Sequence, residues 1–282
     1  TSGEKPYRFN WQTPILLSSH NQDILYMGSE FLQRSMNQGE TWERISGDLT
    51  NGAKEGNVAF GTISTISESK FQFGLLYTGS DDGKIHVSKD GGVSWQLISG
   101  NLPQNLWVSR VAASSHKKER VYATLNGYRN DNFESYAFVS EDFGATWNPI
   151  SNGLTEAVNV IVEDSANENI LYVGTDNGLF ISLDKGITWQ DFSNGMPKVA
   201  VHDAVIQTKA KELIVGTHGR SLYKIDISRV QELTKEVLAK NLHLFKVNDR
   251  TKSDRWGTQN YAWGKPSEPS QTIWFYANAD GI

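Results

Sequence analysis

The chain has 282 residues, a formal net charge of −5 and no cysteine. That length can bury a sizeable core in one or two domains, and the missing thiols exclude disulfide frameworks and thiolate metal sites. A mildly acidic balance with no basic block argues against nucleic acid as a partner, and no apolar run nears the ~20 residues of a membrane-spanning helix.

Residues 1–14 are polar, with Pro6 and Pro14 around an Arg8-Phe9-Asn10-Trp11 cluster, and lack the charged start and apolar core of a signal peptide. A first run of short alternating segments follows: 15–18, 24–28, 31–35 and 42–46. A second occupies 60–63, 76–79, 84–87 and 95–98. The third occupies 108–112, 121–123, 136–139 and 147–150, interrupted by a polar insertion, 126–135. A fourth runs from Val158 to Phe192, and a fifth has three segments, 201–206, 213–216 and 221–225. Four short strands between turn residues are the sequence form of one propeller blade. From Ser228 the period changes: Val230, Leu233, Val237 and Leu238 predict one amphipathic helix over 229–240 with Ser228 as its N-cap. Two more strands are expected at 242–245 and 272–276, and Asp280-Gly281-Ile282 reads as a hairpin turn. The expected division is blades over 1–228, a helical linker over 229–241, and the start of a β-rich domain over 242–282.

One octet punctuates the first four runs: Ser-x-Asp/Asn-x-Gly-x-Thr/Ser-Trp at 35–42, 88–95, 140–147 and 182–189. Recurrence at this spacing signals a repeat architecture. The Asp or Asn accepts from nearby backbone N–H groups, and the Gly supplies a conformation a side chain opposes. The Trp offers a large face for packing between sheets. Asn37, Asp90, Asp142 and Asp184, with Trp42, Trp95, Trp147 and Trp189, are therefore read as structural rather than as catalytic or metal-binding.

The octet resembles the Asp-box, or BNR repeat, of sialidases, sortilin-type receptors, xyloglucan-type glycoside hydrolases and photosystem assembly factors. Three further stretches, 7–15, 215–221 and 254–257, sharpen the likeness. Together they resemble the C-terminal propeller region of large exported bacterial proteins called sortilin-like or glycosyl-hydrolase-like. The resemblance implies an all-β fold: a β-propeller of four-stranded antiparallel blades in an incomplete set, then one short helix and the start of a β-sandwich-like segment. It also implies an extracellular, periplasmic or cell-surface location, and further blades of a longer protein as partners.

Blade topology places the octets, which follow each third strand, on one rim. The turns after second strands and the blade connections occupy the opposite rim, where loops on a rigid scaffold carry binding residues. There lie Glu30, Phe31, Asn57, Asp81, Asp82, Trp107, Arg110, the insertion with Tyr128, Arg129, Asp131 and Phe133, then Asp176, Asn177, His218 and Arg220. Asp81-Asp82-Gly83 and Asp176-Asn177-Gly178 are also ordinary hairpin turns. Trp107 with Arg110 either stacks a sugar or fills a blade seam. A sialidase would need an Arg triad, for which Arg8, Arg110 and Arg220 are the candidates, but 7–10 is not that family's Arg-Ile-Pro motif. A xyloglucanase-like enzyme would need paired carboxylates in a cleft between two propellers, ~6.5–9.5 Å apart if inverting. Asp81, Asp131 and Asp176 are the candidates here. The preferred expectation is a non-catalytic binding or scaffold propeller for a protein, peptide or glycan, without metal or cofactor, with the hydrolase as runner-up.

Overall fold

The computed structural model describes residues 6–56, 59–247, 249–259 and 261–278. The expectations for Asn57 and for the turn at 280–282 lie outside them. Two compact units are present, 1–227 and 228–282.

The first unit is five sheets in series. Blade one is β1 (Ile15–Leu17), β2 (Leu25–Gly28), β3 (Leu32–Ser35) and β4 (Glu43–Arg44). Blade two is β5 (Ile63–Glu68), β6 (Leu76–Ser80), β7 (Ile85–Ser88) and β8 (Gln96–Leu97). Blade three is β9 (Trp107–Ala113), β10 (Val121–Gly127), β11 (Asn132–Ser140) and β12 (Asn148–Pro149). Blade four is β13 (Val158–Glu163), β14 (Leu171–Thr175), β15 (Gly178–Ser182) and β16 (Gln190–Asp191). Blade five has three strands: β17 (Val201–Gln207), β18 (Glu212–Thr217) and β19 (Leu222–Asp226). Each strand pairs antiparallel with its sequence neighbour, and the first strands of blades two to five pack in succession, β5 on β9, β9 on β13 and β13 on β17.

The octets make the turns and also join the blades. In each, the Ser hydroxyl binds the Asp or Asn two residues on and accepts the Gly N–H, at 2.7–2.8 Å for Gly39, Gly92, Gly144 and Gly186. The Asp or Asn Oδ1 accepts the N–H of the Ser or Thr four residues on, at 2.8–2.9 Å. Those bonds from Ser94 and Ser88 hold the Asp90 carboxyl down to about 2. In all four the strand starts one residue after the Trp rather than at it, and in blades two to four the indole turns to the preceding blade. Trp95, Trp147 and Trp189 donate Nε1–H to the carbonyls of Ile45, Ile98 and Ile150 at 3.0, 2.8 and 2.6 Å. The octet Gly is the matching contact: a Cβ on Gly144, whose φ is +89°, would lie 2.3 Å from Ile98 Cδ1. Trp42, in the first blade, instead donates to Gly39 O of its own turn.

A second device alternates along the series. Glu68, at the end of β5, accepts from Ser18 Oγ, Ser19 N and Tyr26 Oη of blade one. Glu163, at the end of β13, accepts from Ser114 Oγ, Ser115 N and Tyr122 Oη of blade three. The corresponding residue of β9 is Ala113, since it pairs with Val121 as Glu68 pairs with Leu76. Tyr77 Oη is consequently buried with no hydrogen bond among the described residues. A buried hydroxyl that bonds nothing carries a desolvation cost of about 1–3 kcal/mol, whereas removing one that bonds a buried carboxylate costs about 1.5–3 kcal/mol. Tyr77→Phe should accordingly hold or raise the urea midpoint and Tyr122→Phe should lower it; equal losses would refute the assignment.

Two sequence expectations change here. The polar stretch 126–135 is not a loop: β10 and β11 run into it as a hairpin, closed by a 3₁₀ turn at Tyr128–Asn130 and by Asp131 at φ 53°. The single helix over 229–240 is two separate turns, α1 (Ser228–Gln231) and α2 (Lys235–Leu238). Thr234 between them is extended and caps α2, accepting Val237 N–H at 3.3 Å, so its side chain restarts the helix that the apolar spacing implied was continuous. In the second unit, strands β20 (Leu242–Leu244) and β21 (Phe275–Ala277) pair antiparallel, the latter beginning three residues later than expected.

Candidate functional site

On the rim opposite the octets a cavity of about 1520 Å³ opens between the inner strands and the blade connections. Its wall includes the 10–16 segment before and in β1, then residues from β5, β9, β13 and β17 in turn. The pairing of each of these last four strands shifts register near its start, at Ile63/Thr65, Thr124/Leu125, Val158/Val160 and Val201/Asp203. A bulge re-aims the residue it sets apart. Ser64, Ser109, Asn159 and His202 sit at these places and all line the cavity. Ser64 and Ser109 also donate to the main chain of the next blade, at Val108 O and Val158 O.

The hairpin tip of blade three supplies the most elaborate cluster. The Arg129 guanidinium lies 4.1 Å from the Trp107 ring centroid and 5.8 Å from that of Tyr128, whose hydroxyl it also reaches through Nε at 3.1 Å. Cation–π contacts of this kind favour Arg and contribute about 0.5–2 kcal/mol each. Arg129 Nη1 is 3.8 Å from Asp81 Oδ2. Asp81 itself is buried and accepts from Thr62 N, Thr62 Oγ1 and Asn10 Nδ2 at 2.9–3.2 Å. Burial is the main influence on Asp81 and pushes its carboxyl above the usual range. It anchors Arg129 from beneath and does not line the cavity.

Across the cavity, Asn126 donates to Asn159 and Asn159 to Asp176 Oδ1, both at 2.8 Å, which orients the carboxylate. The His202 and His218 rings stand 5.3 Å apart. Burial first, then the His218 charge, lower the His202 imidazole, with Asp176 opposing. Arg110 Nη2 pairs with Asp203 Oδ1 at 2.5 Å, joining blade three to blade five.

Of the expected binding residues, Trp107, Arg110, Tyr128, Arg129, Phe133 and His218 line this one cavity, as does Asp176. Asp131, at the exposed hairpin tip, and Arg220, exposed beside His218, do not. Arg8 is outside it too, bound to Asp48 Oδ2 and to Gly61 O. Asn10, Trp11, Asn159, His202 and Asp203 belong to the lining without having been assigned from sequence, and Asn126 joins them from the insertion expected on this rim. The 8–11 cluster had marked the first two, but a bulge leaves no trace in an alternating strand.

No curated protein matches the chain in sequence. The Sortilin-Vps10 family model (Sortilin, neurotensin receptor 3) matches residues 30–158, from the β2–β3 turn to the first residue of β13. An ancestral GH74 enzyme superposes with a TM-score of 0.59 at 18% identity, over 76% of this chain and 28% of that one. The Cps50 (Swd1) β-propeller domain of Myceliophteria thermophila gives 0.56 at 12% identity, over 81% and 71%. The fold is a β-propeller, with the sortilin likeness confined to residues 30–158. A further propeller-matched structure, YCF48 bound to D1 peptide, gives 0.52 at 12% identity, over 74% and 62%. This propeller spans 28–36% of the length of the GH74 chains it resembles. Among its described residues no helix is long and apolar enough to cross a membrane, and no group of three or more potential metal ligands is found.

Proposed function

We propose that this propeller is a non-catalytic ligand-binding scaffold of an exported protein, and that it binds a peptide or glycan in the cavity opposite its Asp-box turns. The observation that carries the reading is the Trp107–Arg129–Tyr128 cluster, held in place by the buried Asp81 and facing open space. Rigid aromatic and Arg groups with little conformational freedom to lose are the side chains that dominate binding energy. Around them the Asn126–Asn159–Asp176 chain and the two imidazoles supply oriented donors and acceptors, the usual composition of a pocket that fixes a ligand's orientation.

The runner-up is a GH74-like glycoside hydrolase. It is favoured by the GH74 likeness and by Asp176, the only one of the three proposed carboxylates that lines the cavity. Asp203, also on the wall, is tied to Arg110. The test is a binding screen of peptide and β-glucan oligosaccharide panels, with a parallel assay for released reducing sugar. Binding without turnover, weakened about tenfold or more by Trp107→Ala or Arg129→Ala, is expected. Hydrolysis abolished by Asp176→Ala would replace this reading with the runner-up.

A further inference from the structure

The fifth blade is closed differently from the other four. In blades one, two and four a Gly at or next to the end of the second strand pairs with an apolar residue at or next to the start of the third, Gly28 with Leu32, Gly79 with Ile85 and Gly174 with Leu179. Gly216 pairs with Leu222 in the same way. Leu32, Ile85 and Leu179 are fully buried, because the segment after each octet Trp folds over them and donates an N–H to their carbonyl at 2.8–2.9 Å. Leu222 is 72% exposed, and among the described residues no strand pairs with the outer edge of β19.

We propose that β19 is a docking edge for an extended segment of a partner polypeptide, which adds the fourth strand of blade five. The four closing strands within the chain define what fits: Trp-x-x-Ile/Phe-Ser, as at 42–46, 95–99, 147–151 and 189–193. The Ile or Phe covers the apolar residue, its N–H reaches that residue's carbonyl, and in blades one, two and four the Ser hydroxyl accepts the N–H returned. Main-chain pairing supplies the affinity and the single apolar position supplies the selectivity, as in other strand-addition sites. A second copy of the chain is not the occupant, because each of its own closing strands is already paired in its blade.

The register also indicates how to block the edge. Lys224 is placed in β19 as Ile181 is in β15, where Ile181 pairs with Gln190 of the closing strand. A proline there removes an outward N–H while β18 remains paired on the other side. The probe is a labelled peptide of residues 186–195, added to the intact chain. Saturable binding is expected, with new amide-exchange protection confined to 222–224. Leu222→Asp and Lys224→Pro should each weaken it about tenfold or more, as should Asp in place of Phe192 in the peptide. An unchanged thermal melt of the two protein variants confirms that they fold. No saturation by about 1 mM peptide, a very weak affinity, would overturn the proposal. So would binding that Lys224→Pro leaves intact, because the peptide would then be replacing its own copy in blade four.

Discussion

Glu163→Ala is expected to destabilise the propeller by about 3–5 kcal/mol, the cost of removing one partner of a buried ion pair. The carboxylate is almost wholly buried at the seam of blades three and four and takes hydrogen bonds from Ser114, Ser115 and Tyr122. It also meets Arg120 Nη1 at 3.2 Å. Arg120 is equally enclosed, and its other partners, Glu141 and Glu168, are each close to half exposed. Alanine at 163 would leave a buried guanidinium short of one anion and three donors short of an acceptor. Glu68 provides an internal control. It serves the same Ser-Ser-Tyr set one repeat earlier, but the place of Arg120 is held by the apolar Ile24. Glu68→Ala therefore loses hydrogen bonds alone, about 1–3 kcal/mol. Urea titrations followed by tryptophan fluorescence should separate the two variants. Equal midpoints would show that the Arg120 pair adds nothing to the seam.

The blade series was legible because its parts are local. Ser35, Ser88, Ser140 and Ser182 open four octets whose hydrogen bonds are made within eight residues, so the motif and its geometry arrive together. The rim assignment followed from antiparallel topology alone, and it brought six predicted binding residues to one cavity. What stayed hidden depends on long-range register. The bulges at Ser64, Ser109, Asn159 and His202 leave an ordinary alternating pattern in the sequence, since one extra residue is visible only against a paired strand. The same holds for Asp81, which as a turn residue looked available and is in fact enclosed by Thr62 and Asn10 from two other segments. A readable signal was passed over in one case. Ser18-Ser19-His20 recurs as Ser114-Ser115-His116, and Tyr26 as Tyr122, which marks a two-blade repeat and pointed to the seams that Glu68 and Glu163 fill. The split helix shows the opposite error: apolar spacing was read over Thr234, a residue whose hydroxyl competes for main-chain N–H groups.

Trp147→Ala is expected to cost about 3–5 kcal/mol, the range for truncating a large packed aromatic. The indole lies against the core shared by blades two and three and also donates to Ile98 O, so the substitution opens a cavity and leaves a carbonyl without its partner. Gly144 beside it already holds Ile98 at the closest approach the backbone permits, so the seam has little freedom to collapse into the space. Trp42→Ala should cost much less, about 1 kcal/mol, because that indole is 38% exposed and bonds only its own turn. The same octet sequence thus carries two different stabilities, set by whether its indole reaches a neighbouring blade or its own turn. Chemical denaturation of the two variants measures the difference directly. If Trp42→Ala proved as costly as Trp147→Ala, the octet would be stabilising its own turn rather than the joint between blades. The reading of the propeller as sheets locked together by their tryptophans would then have to be given up.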